Sequence, residues 1–391
     1  MPNIILSSQP SWLPVIKQLP ADYQLYCLQS QFTKTLNDID IPAKSIAEML
    51  DDRARATAMR DASKLHVELA QCAMPVFEHS KQVTQWLGEQ GIARYFYPRL
   101  VDLSLAISAL ENSKSDLLVL HNDVEPLHRL LAFYARKRQI PVLHIPHAIY
   151  FDTPERGPIG TDVHDLVTAD HLAAAGPFQA QWYHTRDPKQ HIYMTGLPQF
   201  DRLAHQKRDR ERACKLLHLD PYKPILVYMS SWGQTTNLLG CHNGVEDTYR
   251  NLLLAMRELP DIQLVVKCHP RGNNVEWHAK LAHEMGQRAI VTAEHLDAVL
   301  MVADTVLSYG PSNVVLEAAA IPGTRLMAID GFMADPEVLT ISGEVNDIIT
   351  GIAQVFTQPP IDTSNFLARY LGILDGKAAT RIAQLIQKLV S

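Results

Sequence analysis

The chain has 391 residues, 47% of them apolar and 20% charged, with 36 Lys and Arg against 42 Asp and Glu for a net charge of −6. At ~100–200 residues per domain, that length predicts two domains, each with its own core. The composition excludes a disordered chain, and the lack of a basic excess excludes a protein whose main partner is a nucleic-acid backbone.

In chain order, the start MPNIILSSQPSW has no basic leader and a short apolar run, so Asn3–Leu6 reads as a first strand and not as a signal peptide. Further predicted strands are Leu25–Leu28, Asp116–His121, Pro141–Ile145, Leu166–Thr168, Ile192–Thr195, Pro224–Met229, Gln263–Cys268, Ile290–Thr292, Thr305–Ser308 and Thr324–Ile329. Between them lie segments of helical period, among them Glu125–Arg138, Thr248–Leu259 and Val314–Ala320, and VTADHLAAAGPFQAQWY also reads as a helix. Asp51 and Asp52 fall on a predicted helix surface and do not suggest a metal site. Apolar strands alternating with helices predict parallel sheets covered on both faces, hence an α/β fold of two Rossmann-like domains facing across a cleft.

The expected division is an N-terminal domain over residues 1–200, a linker over 201–223, a C-terminal domain over 224–375 and a final helix over 376–391 that belongs to either domain. In the linker, Lys207, Arg208, Arg210, Arg212 and Lys215 suit an anionic membrane surface. Interleaved Asp209 and Glu211 favour a solvated connecting helix instead. The cysteines Cys27, Cys72, Cys214, Cys241 and Cys268 show no CxxC spacing, which predicts a reducing compartment. No run of ~18 apolar residues predicts a membrane span. The expected location is cytoplasmic, with any attachment at the inner membrane peripheral.

Ligands of open parallel sheets bind beyond the carboxyl ends of the strands, so polar residues at those ends are the candidates. The segment IQLVVKCHPRGNN places Lys267, His269 and Arg271 at alternate positions, with Pro270 ending the strand. Such donors suit a phosphate; the plainer reading is a structural cap with two solvated cations. In ADTVLSYGPSNVVLEAAA, a strand runs through Tyr309, Gly310 and Pro311 to Ser312 or Asn313 as a helix cap, an arrangement that favours anions. Glu317, one turn on, can accept hydrogen bonds from two ribose hydroxyls. In ILVYMSSWGQTTN, Ser230, Ser231, Gly233 and Gln234 can donate to a diphosphate.

In the first half, His121 and Asp123 follow one strand, and His144, His147, Asp152 and Glu155 follow the next. A general base that deprotonates an acceptor hydroxyl is expected here, with His147 first and Asp123, Asp152 and Glu155 behind it. Gln9 and His121 are expected to line the acceptor side. No metal site is predicted: there is no HExxH, and the histidines lack helical ligand spacing. The absence of GxGxxG, GxxxxGK[ST] and GxSxG removes the dinucleotide, P-loop and hydrolase-elbow readings.

The order HIPHAIY, HIYMTGLPQFDRL, ILVYMSS, VVKCHP and ADTVLSYGPSNVVLEAAAIPG resembles the two-domain GT-B glycosyltransferases of bacterial surface-polysaccharide synthesis. That group includes CDP-glycerol glycerophosphotransferases, HP-motif CMP-sugar transferases and relatives of UDP-N-acetylglucosamine 2-epimerase. The likeness spans roughly residues 115–330. It implies that His269 and Pro270 hold the donor phosphate, that Ser312 retains one position of a Ser–Ser or Ser–Thr pair, that Glu317 binds ribose and that His147 stands where an HG-motif histidine does, with alanine in place of glycine. The implied activity is metal-independent transfer of a glycosyl or polyol-phosphate group from a CMP-, CDP- or UDP-linked donor to a saccharide or lipid-linked acceptor, for capsule, lipopolysaccharide or teichoic-acid-like polymers. No further cofactor is implied. The rival readings are a nucleotide-sugar epimerase, although its GTRPE-like start and RxxTERPE segment are missing, and a non-catalytic binding subunit of a polysaccharide assembly complex.

Overall fold

The computed structural model describes residues 1–7, 9–77, 97–112, 114–122, 126–149, 169–230, 243–269, 275–309, 312–329 and 335–391. Two compact units divide these residues. The first holds Met1–His147, 169–201 and Asp375–Ser391; the second holds 148–149 and Arg202–Leu374.

The first unit carries strands β1 (Asn3–Leu6), β2 (Gln24–Cys27), β3 (Ala43–Ser45), β4 (Leu117–Leu120), β5 (Val142–His144), β6 (His171–Ala174) and β7 (His191–Met194). The second carries β8 (Ile225–Met229), β9 (Gln263–Lys267), β10 (Ala289–Thr292), β11 (Thr305–Tyr309), β12 (Arg325–Ile329) and β13 (Val338–Ile341). The sheet orders are β3-β2-β1-β4-β5-β6-β7 and β10-β9-β8-β11-β12-β13, with every pairing parallel. Both are doubly wound Rossmann orders. In each, the winding reverses between the first and fourth strands, β1 and β4 in one sheet and β8 and β11 in the other.

The central strands are mostly apolar because both faces are covered. In the first unit Ile4, Leu6, Leu117 and Val119 pack with Trp12, Ile382 and Ile386 on one side, while Ile5, Leu118 and Leu120 pack with Ala106, Leu131 and Ala132 on the other. Alternate side chains of one strand thus serve opposite layers, and each buried Leu or Ile contributes roughly 1.5–3 kcal/mol.

Ile382 and Ile386 lie on the final helix, Ala378–Val390, so the helix that the sequence left unassigned packs on the first unit. Its amino end lacks a cap of its own. Asp201 supplies one: its two carboxylate oxygens accept the N–H groups of Ala378 and Ala379, each at 2.8 Å. Arg381 adds a bond to the carbonyl of Thr195 at 2.8 Å.

Three expectations change. The HLAAAG stretch, read as helix, is strand β6, with the helix starting only at Pro177. Ala173 and Ala174 are fully buried between β5 and β7, so tertiary placement overrides alanine's helix preference. Strands β3 and β13, a short polar edge and a second-unit edge, were not foreseen. The basic run is not a solvated connector throughout. Arg210 and Arg208 belong to the second unit and pack within it, where Asp304 accepts from Arg210 at 2.7 and 2.9 Å and from Arg208 at 3.4 Å. The carbonyls of Met301, Val302 and Ala303 accept further bonds from the same two guanidiniums. The predicted strand Leu166–Thr168 lies outside the described residues.

Candidate functional site

In the second unit, the carboxyl ends of β8, β9 and β11 meet at the winding reversal. Ser230 follows β8 and His269 follows β9, and the two loops are tied together. The Ser230 N–H donates to the Lys267 carbonyl at 3.0 Å, and the Ser230 Oγ accepts the His269 N–H at 3.3 Å. The Cys268 N–H donates to the Thr292 carbonyl at 2.8 Å, so β10 fixes the same loop from the far side. These bonds set the backbone on which the half-buried His269 stands.

Lys267 departs from the expected row of three cations. Strand β9 ends at Lys267, so the alternation does not carry through to His269. The lysine is 6% exposed, and its Nζ donates to the carbonyls of Cys268 at 2.9 Å and Ala293 at 2.8 Å. Two of its three N–H donors are therefore committed to holding the loops after β9 and β10. Burial lowers its pKa from the ordinary lysine value, against the opposite pull of Cys268 and Glu317.

On the β11 side, Tyr309 ends the strand and is half-buried. Ser312 caps the helix Asn313–Ala319: its backbone is extended and its Oγ accepts the Val314 N–H at 3.4 Å. The Asn313 Oδ1 accepts the Ile149 N–H at 3.1 Å. Glu317 is paired with Arg202, which also pairs with Asp297. Burial raises the Glu317 pKa from its ordinary value while Arg202 pulls it down. Any hydroxyl that Glu317 accepts from must share it with this guanidinium. Arg202 was missed from sequence; its one signal was its place in TGLPQFDRL, next to the capping residue Asp201.

The first unit builds a second group at its own winding reversal. Gln9 starts the turn Pro10–Trp12 by accepting the Trp12 N–H on its carbonyl at 3.0 Å. That turn buries Trp12, whose ring meets His121 edge-on with centroids 6.1 Å apart. His121 follows β4 and has His128 and His147 edge-on to it at 4.9 and 5.6 Å. The His147 Nδ1 lies 3.1 Å from the His121 carbonyl. A carbonyl only accepts, so Nδ1 carries a proton and the lone pair of the neutral ring is on Nε2. Gln199, also missed from sequence, donates its Nε2 to the His147 carbonyl at 3.3 Å. His144 is buried within the unit, 3.4 Å from the Tyr183 hydroxyl, and is a core residue.

The candidates Asp123, Asp152, Glu155, Ser231, Gly233, Gln234, Pro270, Arg271 and Gly310 lie outside the described residues. Among the described residues no group of three or more His, Cys, Asp or Glu is placed to hold a metal ion, and no helix is long and apolar enough to cross a membrane.

Burial pushes the thiols of Cys27 and Cys268 from 9.0 up to about 11; for Cys268, Lys267 and the Ser230 hydrogen bond work against the shift. A folded-state pKa above the unfolded one favours the folded protein fully below the unfolded value, and the advantage disappears as pH rises through the folded value. Tyr228 and Tyr249 are shifted upward by burial as well and act in the same sense at higher pH. The urea midpoint is expected to fall between about pH 9 and 11. A midpoint that is flat or rises across that interval would contradict these environments.

No family model matches the chain, and no curated protein matches it. Solved structures do. The Staphylococcus aureus MnaA–UDP structure aligns with TM-score 0.56 at 13% identity, covering 99% of this chain and 96% of that one. The Neisseria meningitidis UDP-GlcNAc 2-epimerase bound to UDP-GlcNAc gives 0.56 at 14% identity, covering 99% of both chains. The wall teichoic acid polymerase TagF gives 0.52 at 11% identity, covering 99% of this chain and 89% of that one. At such identities the likeness concerns the fold: the chain has the two Rossmann-like units of the GT-B class.

Proposed function

We propose that the chain is a nucleotide-dependent transferase that moves a glycosyl or polyol-phosphate group from a nucleotide-activated donor to a hydroxyl of a saccharide or lipid-linked acceptor, with no metal ion taking part. The observation that carries this reading is the rim of the second sheet, where a hydrogen bond joins Ser230 to His269 and the Ser312 cap follows the neighbouring strand β11. Parallel sheets bind ligands at such a reversal, and donors fixed there suit the phosphate of a nucleotide. The fold class supports it too, since MnaA was solved with UDP and the Neisseria epimerase with UDP-GlcNAc.

In the proposed reaction the acceptor oxygen attacks the sugar carbon (or the phosphorus of a polyol-phosphate donor). The bond to the nucleotide phosphate breaks, and the negative charge stays on that phosphate. The side chains of His269, Ser230 and Ser312 stabilise the charge, and the acceptor proton passes to the His147 Nε2. Glu317 and Arg202 orient the ribose. The donor is assigned to the cytidine or uridine class, and contact with a membrane, where it occurs, is peripheral.

A thermal-shift panel of UDP, CDP, CMP and GDP tests the reading, because a nucleotide at ~100 times its Kd stabilises the folded protein by ~2.7 kcal/mol. A pyrimidine nucleotide should raise the midpoint, and product should then form from donor only when acceptor is present. Product formed from a nucleotide sugar alone would establish the epimerase instead; binding without turnover would establish the non-catalytic subunit. No shift with any nucleotide would refute the proposal.

A further inference from the structure

Ser7 follows β1 and is 1% exposed. Its N–H donates to the Val119 carbonyl at 2.9 Å, which seats it on β4 at the winding reversal of the first sheet. Its Oγ accepts the backbone N–H of His121 at 2.9 Å and lies 2.8 Å from the Nδ1 of the same residue. A serine hydroxyl has one proton to give. With the His121 N–H already pointing at the oxygen, the acceptor for that proton is Nδ1. The reverse arrangement, Nδ1–H donating to Oγ, leaves a buried hydroxyl proton with no acceptor among the described residues, which is unfavourable.

We infer that Ser7 is a positioning residue: it sets His121 in the Nε2–H tautomer and, by anchoring the His121 peptide, holds the carbonyl that sets His147 in the opposite, Nδ1–H tautomer. The carbonyl accepts both the Nδ1–H of His147 at 3.1 Å and its backbone N–H at 3.2 Å. The two rings, 5.6 Å apart and inclined at 81°, therefore carry one N–H and one lone pair on their Nε2 atoms. The effect of Ser7 on transfer rests on His147 as proton acceptor in the proposed function, whereas the tautomers themselves do not.

The test uses the full chain with 15N-labelled histidine and two-bond 15N–1H correlation spectra, with the two residues assigned by His121→Gln and His147→Asn. The wild type should show His121 as Nε2–H and His147 as Nδ1–H. Ser7→Ala should move His121 away from its single tautomer, and Ser7→Thr, which keeps a hydroxyl, should retain it. With donor and acceptor in hand, Ser7→Ala should lower kcat at least ~10-fold with the KM for donor unchanged, and Ser7→Thr should restore it. Wild-type His121 found as Nδ1–H, or a His121 tautomer indifferent to Ser7→Ala, would overturn the inference whatever the activity. The wild-type spectrum decides this even if a variant fails to fold. Tautomers as stated but transfer insensitive to Ser7 would instead sink the role given to His147.

Discussion

Replacing His147 by asparagine is expected to lower the transfer rate by about 10²–10⁴-fold while nucleotide affinity stays at the wild-type value. Asparagine places an N–H donor near the position of Nδ1, so the bond to the His121 carbonyl can persist. What it removes is the basic Nε2. The substitution therefore separates the structural bond from the proton acceptor, which His147→Ala does not. His147 is exposed and its neighbours hold one another independently, so thermal stability should change little. The measurement is kcat with saturating donor, alongside a calorimetric titration of the nucleotide. A variant with full kcat would remove His147 from the mechanism; a variant that also loses the nucleotide would assign it to the donor instead.

The second large effect is on stability. Asp304→Ala should destabilise the second unit by about 3 kcal/mol, the lower end for a broken buried ion pair because the groups keep some solvent contact. Asp304 precedes β11, and its carboxylate accepts from Arg210 at 2.7 and 2.9 Å, from Arg208 at 3.4 Å and from the N–H of Ile225 at 2.9 Å. Ile225 opens β8, so this carboxylate joins the amino ends of the two strands whose carboxyl ends carry the proposed donor site. Without it two guanidiniums that oppose each other's charge remain side by side. Asp304→Asn keeps an acceptor for Ile225 but loses the charge and should fall between alanine and wild type. Hydrogen exchange of the β8 and β11 amides, with the urea midpoint, reads the effect. An unfolding free energy within ~0.5 kcal/mol of wild type would show the cluster to be neutral.

Much of this architecture was written in apolar runs. LLVL, ILVYM and the LVV of QLVVK are unbroken because they lie in the middle of parallel sheets, and they give the strands that carry the site almost to the residue. Where burial is achieved by small residues, as in the alanines of β6, pattern and propensity point to a helix and only the neighbouring strands decide. The strand-end candidates were legible for the same reason as the strands: His121, His147, Ser230 and His269 are the first polar residues after them. Their partners were not. Ser7 reaches His121 across 114 positions, Arg202 reaches Glu317 across 115 and Asp201 reaches Ala378 across 177, and no local period encodes such meetings. Lys267 shows the same limit in reverse, since alternation alone assigned it to a ligand whereas the carbonyls of Cys268 and Ala293 take two of its donors.

The most direct test of the account is a crystal structure of the chain soaked with UDP, CDP or CMP, whichever stabilises it. The phosphate is expected within hydrogen-bonding distance of His269 and the Ser230 loop, with the ribose toward Glu317 and Arg202. Nucleotide density away from the carboxyl ends of β8, β9 and β11 would contradict the account.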